Sequence, residues 1–287
     1  LPQDVLLPDT GTCIFLIFWI YPVLQLFYYS VTNFNGVNYD FDFVGMKNYI
    51  KVLNNGTLTN SMKNTLVYAV ITVLLSNVVG LAVAMILNTK IRLKGLFRTC
   101  AYFPALFSAI VIGFIWSYVY MPGSGMIASI LSMIGLDGAA FNPLGNYKTA
   151  LYAIAIVEAW KAFGTTMIIY LAGLQNIPKM YQEAALLDGA TKRQIFFKVK
   201  LPLLMPAVTT AVITNLIGGF KLYDIIVTLT NGGPNRKSLS LSYYISLLYF
   251  SDEKAGYSSA VGIALFVIIF LVAVPINHYL RSREVEY

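Results

Sequence analysis

The chain has 287 residues, 57% of them hydrophobic and only 11% charged, with a net charge of +7. A soluble domain carries roughly 25% charged residues, so this composition argues against a soluble enzyme or a nucleic-acid-binding module. The positive sign then reads as membrane topology, not as affinity for nucleic acid.

Mean hydropathy is +0.68, and the apolar residues gather into runs of about 20, the length that crosses a hydrocarbon core of about 30 Å. Six spans are predicted, at 12–32, 63–88, 100–121, 149–174, 205–230 and 257–280. Backbone groups cannot stay unpaired in lipid, so each span is expected to be helical. Segments such as Ile154 to Val157 show no strand-like alternation. The fold class expected is all-α and polytopic, a single membrane domain over residues 1–287. The chain opens on Leu1, and further sequence is expected to precede it. Cys13 and Cys100 lie far apart and predict neither a disulfide nor a metal site.

The connections sort by charge. Residues 89–99 hold Lys90, Arg92, Lys94 and Arg98 with no acid. Residues 175–204 hold Lys179, Lys192, Arg193, Lys198 and Lys200 against Glu183 and Asp188, and the tail adds Arg281 and Arg283. The opposite side has fewer bases over longer connections, so both termini are expected on the cytoplasmic side. Outer segments 33–60 and 121–146 are rich in Gly, Asn and Tyr. Asn35-Gly36 and Asn55-Gly56 read there as turn signals.

Residues 175–206 read QNIPKMYQEAALLDGATKRQIFFKVKLPLLMP. Pro178 suits the first position of a helix, Tyr181 to Leu187 favour helix, and Gly189 is a natural stop. A second short helix is expected from Thr191, ending before Pro202. A helix–Gly–helix element on the inner surface follows, suited either to lipid headgroups or to a cytosolic partner.

Within it, Glu183-Ala184-Ala185, then Gly189, then Val199-Lys200-Leu201-Pro202 resembles the EAA loop of binding-protein-dependent ABC importer permeases. Val199 stands where the family prefers Ile. Phe43-Val44-Gly45 with Asn48-Tyr49, Leu171 to Gln175 with Ile177-Pro178, and Leu229 to Pro234 resemble segments of its carbohydrate-uptake, maltose-type branch. The resemblance covers nearly the whole chain. It implies a prokaryotic plasma-membrane permease that pairs with a second, similar but distinct permease. Two copies of a cytosolic ATPase and an extracytoplasmic sugar-binding protein complete the implied assembly. It also implies an ATPase-docking loop of Glu183, Ala184, Ala185, Asp188, Gly189, Leu201 and Pro202. Glu183 would pair with a base of the ATPase, and Gly189 would allow the bend.

No segment matches the phosphate loop GxxxxGK[ST]. Gly232 to Ser238 echoes it with the wrong spacing on the outer side. ATP and Mg are therefore expected on partner subunits, with no cofactor, metal or catalytic set in this chain. His278 ends the last span and reads as an interfacial residue.

Charges inside spans usually face a cavity or a partner. Glu158 and Lys161 in the fourth span, and Lys221 and Asp224 in the fifth, are spaced i, i+3 and permit local ion pairs. As an alternative, they line a translocation path. Glu158, Lys161, Ala162 and Thr165 share one helix face, and Asn215, Gly218, Gly219 and Leu222 share another. These faces fall where the resembling maltose-type permease contacts its sugar. The expected substrate-path residues are Glu158, Lys161, Thr165, Asn215, Gly218, Gly219 and Asp224. The paired glycines give room for a sugar ring or allow close helix packing. Trp160 and Phe220 suit stacking on a sugar or simple packing. The competing class is an ion-coupled secondary transporter, which calls for internal repeats; the two halves show none convincingly. An intramembrane enzyme lacks any recognisable catalytic set.

Overall fold

A hydrocarbon layer offers backbone N–H and C=O groups no water, so apolar runs of this length close their hydrogen bonds within themselves. A computed structural model of the chain describes residues 10–38 and 40–285. Among the described residues the structure is helical, with one isolated β-bridge from Thr32 to Phe43. In chain order the helices are α1 (Gly11–Ser30), α2 (Lys47–Leu53), α3 (Gly56–Leu87) and α4 (Lys94–Tyr102). There follow α5 (Ala109–Val119), α6 (Met126–Met133), α7 (Tyr147–Asn176) and α8 (Lys179–Leu187). Next come α9 (Lys192–Leu203), α10 (Met205–Phe220) and α11 (Asp224–Thr230). The chain ends with α12 (Leu241–Phe250) and α13 (Ala255–Arg281). By length and composition α1, α3, α7 and α13 suit a membrane crossing, and the number reaches 6 if each of two bent pairs is one span.

Those bends correct the sequence reading. The third span was expected to be one helix over 100–121. Instead α4, extended by a 3-10 turn at Phe103–Leu106, meets α5 at 99°. Pro104 sits in that turn, and Ser108 starts α5 afresh by accepting the Val111 N–H at 3.3 Å. The fifth span was expected over 205–230, yet α10 stops at Phe220 and α11 begins at Asp224. Two smaller expectations also change. Pro178 precedes α8 as its cap residue, and α9 continues through Pro202 to Leu203. Continuation past that proline follows a π turn at Phe196–Lys200. The wider turn relieves the clash of a proline ring with the carbonyl one turn back. The same device recurs in α1, where a π turn at Leu16–Ile20 precedes Pro22.

The chain divides into two units, Leu1–Thr59 with Tyr244–Ile268, and Asn60–Tyr243 with Ile269–Tyr287. In the first unit the connection after α1 is a folded cap. The Asn48 amide donates to the carbonyls of Ser30 and Thr32 at 2.9 and 2.8 Å. Tyr49 OH meets Ser30 Oγ at 2.7 Å, and Tyr29, Phe34 and Phe41 cluster ring on ring. Asn35 does close a turn, accepting from the Val37 and Asn38 N–H groups. Asn55 caps a helix instead, accepting from Thr57 N and donating to the Tyr244 and Tyr257 hydroxyls at 3.0 Å each.

The second unit has a hydrophobic core cluster of its own. Leu87 of α3 packs with Met167, Tyr170, Leu171 and Leu174 of α7, and with Leu203, Leu204 and Ala211. After α11 the segment from Lys237 to Leu239 is fastened to α3. Asn64 donates to the Lys237 and Leu239 carbonyls at 2.6 and 2.9 Å, and Tyr68 OH to Ser238 O at 2.7 Å.

Candidate functional site

Helix α7 carries Glu158, Lys161, Ala162, Thr165, Thr166 and Ile169 on adjoining faces, and α10 carries Thr214, Asn215 and Gly218. Together with Thr72 of α3 and Ala105 of the 3-10 turn they enclose a cavity of about 290 Å³. Five of the seven expected path residues, Glu158, Lys161, Thr165, Asn215 and Gly218, line it. Thr165 and Gly218 are exposed to it, Glu158 and Lys161 half-buried. The cavity therefore offers a carboxylate, an ammonium group, an amide and hydroxyls, the partners that sugar hydroxyls pair with.

Gly219 and Asp224 do not line it. Gly219 faces α3 so closely that an added Cβ would stand 2.6 Å from Ala69 Cα, so its missing side chain serves helix contact. Its neighbour Gly218 has open space where a Cβ would be. Asp224 lies beyond the break after α10, exposed, at the first position of α11. Local ion pairing also fails. The one ion pair among the described residues joins Lys254 to Asp252 at 3.7 Å, so neither Glu158 with Lys161 nor Lys221 with Asp224 is closed. Phe220 is fully buried, and Trp160 meets Trp116 edge to face at 5.5 Å; both act in packing.

The expected docking loop joins the two helices that line the cavity. Ile177, Tyr181, Val199 and Leu203 fix its ends in or against the core. Its middle turns outward: Glu183, Ala184, Asp188 and Gly189 are exposed, and Leu187 is 90% exposed. Ala185, Leu201 and Pro202 are half-buried. Gly189 adopts φ +76°, and the N–H groups of Gly189 and Ala190 return to the carbonyls of Leu186 and Ala185 at 3.0 and 2.9 Å. This is the glycine-terminated helix end that a side chain would strain. Thr191 and Gln194 then start α9 with a reciprocal cap.

Residues 76–284 match the family described as binding-protein-dependent transport system inner membrane component. The chain belongs to this family. Multiple sugar-binding transport system permease protein MsmF of Streptococcus mutans is 34% identical over 90% of this chain and 88% of its own length. Trehalose/maltose transport system permease protein MalF of Thermococcus litoralis is 33% identical over 88% of this chain and 85% of its own. Among solved structures, a chain of a bacterial ABC transporter involved in the import of the acidic polysaccharide alginate superposes with a TM-score of 0.81. Its identity is 23%, over 95% of this chain and 93% of that one, which shows a shared fold.

In this inner membrane component, sequence reasoning missed Thr72, Ala105, Thr166, Ile169 and Thr214. Thr72 carried a signal: with Thr65 and Ser76 it recurs at i, i+7, i+11, a polar line on one face of a span whose one charged residue is Lys63. Thr166 has a different task. Its hydroxyl accepts from the buried Asn215 amide at 2.9 Å and donates to Ala162 O at 3.0 Å, tying α10 to α7. Thr166→Val removes that acceptor and is expected to cost ~0.6–2 kcal/mol. Thermal melting of the detergent-solubilised protein measures this as a lowered Tm, and an unchanged Tm would show the bond to be idle.

Proposed function

We propose that this chain is one transmembrane half of an ATP-driven importer of a di- or oligosaccharide. The observation that carries the reading is the position of the exposed loop. It sits between α7 and α10, and both of its ends are seated in the core beside the cavity. A push on such a loop moves cavity-lining helices, because packed interiors shift as bodies and do not deform smoothly.

In this scheme two cytosolic ATPase subunits bind ATP and Mg, and one of them receives Glu183, Ala184, Ala185, Asp188 and Gly189 of the loop. Leu201 and Pro202 carry the motion toward α10. A second, similar permease completes the pathway, and both termini lie in the cytoplasm of a prokaryotic cell. An extracytoplasmic binding protein delivers the sugar. That role is supported by the structural neighbour described as a bacterial alginate ABC transporter in complex with alginate pentasaccharide-bound periplasmic protein. Closure of the ATPase pair draws the loops together and opens the cavity outward, a shift between two populated states. Glu158, Lys161, Thr165 and Asn215 then exchange hydrogen bonds with the sugar, and Gly218 leaves room for its ring. The whole chain acts as a single permease domain in this reading. Relatives named for multiple sugars, starch degradation products and trehalose/maltose support the substrate class. Family membership favours ATP over an ion gradient as the source of energy.

The test is composition and activation of the purified complex. Two copies of one ATPase subunit are expected, with hydrolysis raised several-fold by a sugar and its binding protein. A complex with no nucleotide-hydrolysing subunit contradicts the proposal.

A further inference from the structure

The turn between α3 and α4 brings an apolar groove and a basic cluster together. The groove, of about 530 Å³, is lined by Val83, Ile86, Leu87, Ile91, Phe97 and Cys100 among others. Ile86 and Phe97 are more than half exposed in it. Lys90 and Arg92 flank Ile91, and Lys94 and Arg98 stand three residues before and one residue after Phe97. Lys90, Arg92 and Arg98 are exposed and Lys94 is half-buried. No carboxylate lies within residues 89–99, and among the described residues none of the four bases forms an ion pair.

We propose that this groove and its basic rim form a binding site for one anionic phospholipid, with an acyl chain along the groove and the headgroup on Lys90, Arg92, Lys94 and Arg98. A ligand that satisfies both parts needs a long apolar portion and a negative charge at one end. A free anion leaves the groove empty. A zwitterionic lipid fills the groove but gains less from four bases and no acid. Juxtamembrane Lys and Arg side chains attract anionic headgroups, roughly fivefold per base near the surface. The site lies outside the cavity of α7 and α10, and does not depend on which sugar passes there.

Native mass spectrometry of the delipidated protein, purified with its co-purifying subunits, tests the site. Dioleoyl-phosphatidylglycerol and dioleoyl-phosphatidylcholine are offered at equal concentration. Retention of the first is expected to exceed the second roughly tenfold. Lys94→Gln with Arg98→Gln lowers that preference several-fold. Cys100→Trp keeps every base, obstructs the groove where the acyl chain would lie, and removes the preference. If the doubly neutral variant fails to insert, Cys100→Trp decides alone. Equal retention of both lipids by the unaltered protein overturns the proposal, as does a preference that survives Cys100→Trp. Displacement of the bound lipid by inorganic phosphate alone also overturns it, since that marks a surface anion site with no part for the groove.

Discussion

Replacing Glu183 by Lys is expected to abolish sugar uptake while the protein still inserts and folds. Glu183 is exposed on α8 and has no ion-pair partner among the described residues. An exposed charge of this kind contributes little to stability, so its reversal leaves the fold intact. In the proposed assembly its weight falls on the contact with the ATPase. There one desolvated, hydrogen-bonded charge pair becomes two like charges, and docking is expected to weaken roughly thirtyfold or more. Uptake by cells expressing the variant at normal membrane levels is the measurement, with co-purification of the ATPase as its companion. Uptake at the unaltered rate removes Glu183 from the docking role. Glu183→Gln, which loses the charge without reversing it, is expected to fall between the two.

The second large effect separates two neighbouring glycines. Gly218→Trp is expected to leave stability near that of the unaltered protein and to stop transport. A Cβ at Gly218 meets nothing within 4 Å, and the residue lines a cavity of only about 290 Å³, which an indole largely fills. Gly219→Val is expected to do the reverse. Its Cβ would press on the Ala69 backbone at 2.6 Å, forcing α10 from α3 at ~1–3 kcal/mol or more. Paired melting curves and uptake assays check both. A Gly218→Trp protein that transports normally places the sugar path elsewhere. A Gly219→Val protein that melts normally shows that α3 and α10 separate easily.

Much of this was legible in the sequence for physical reasons. Apolar runs long enough to cross lipid have one available backbone structure, so α1, α3, α7 and α13 fall close to the expected spans. Gly189 announced the bend in the loop because only glycine takes φ +76° without strain. The breaks were hidden, because hydropathy over a window sees Ala109–Val119 as continuous with the residues before Phe107. The decisive events there are local: a proline in a 3-10 turn and a serine cap. The continuation of α9 past Pro202 was likewise hidden, since a π turn leaves no compositional mark. Gly218 and Gly219 are indistinguishable as letters and differ only in which neighbour each faces. Thr72 and Ala105 reach the cavity from segments far from α7 and α10 in the chain, and their place depends on tertiary packing.

The most direct measurement is uptake into proteoliposomes that contain the chain with its co-purifying subunits and, in parallel, the chain alone. Sugar accumulation is expected only when ATP, Mg and the sugar-loaded binding protein are all supplied to the full assembly, and to be lost with Glu183→Lys. Accumulation by the chain alone, driven by a proton or sodium gradient without ATP, would contradict the coupling of the α8–α9 loop to the cavity.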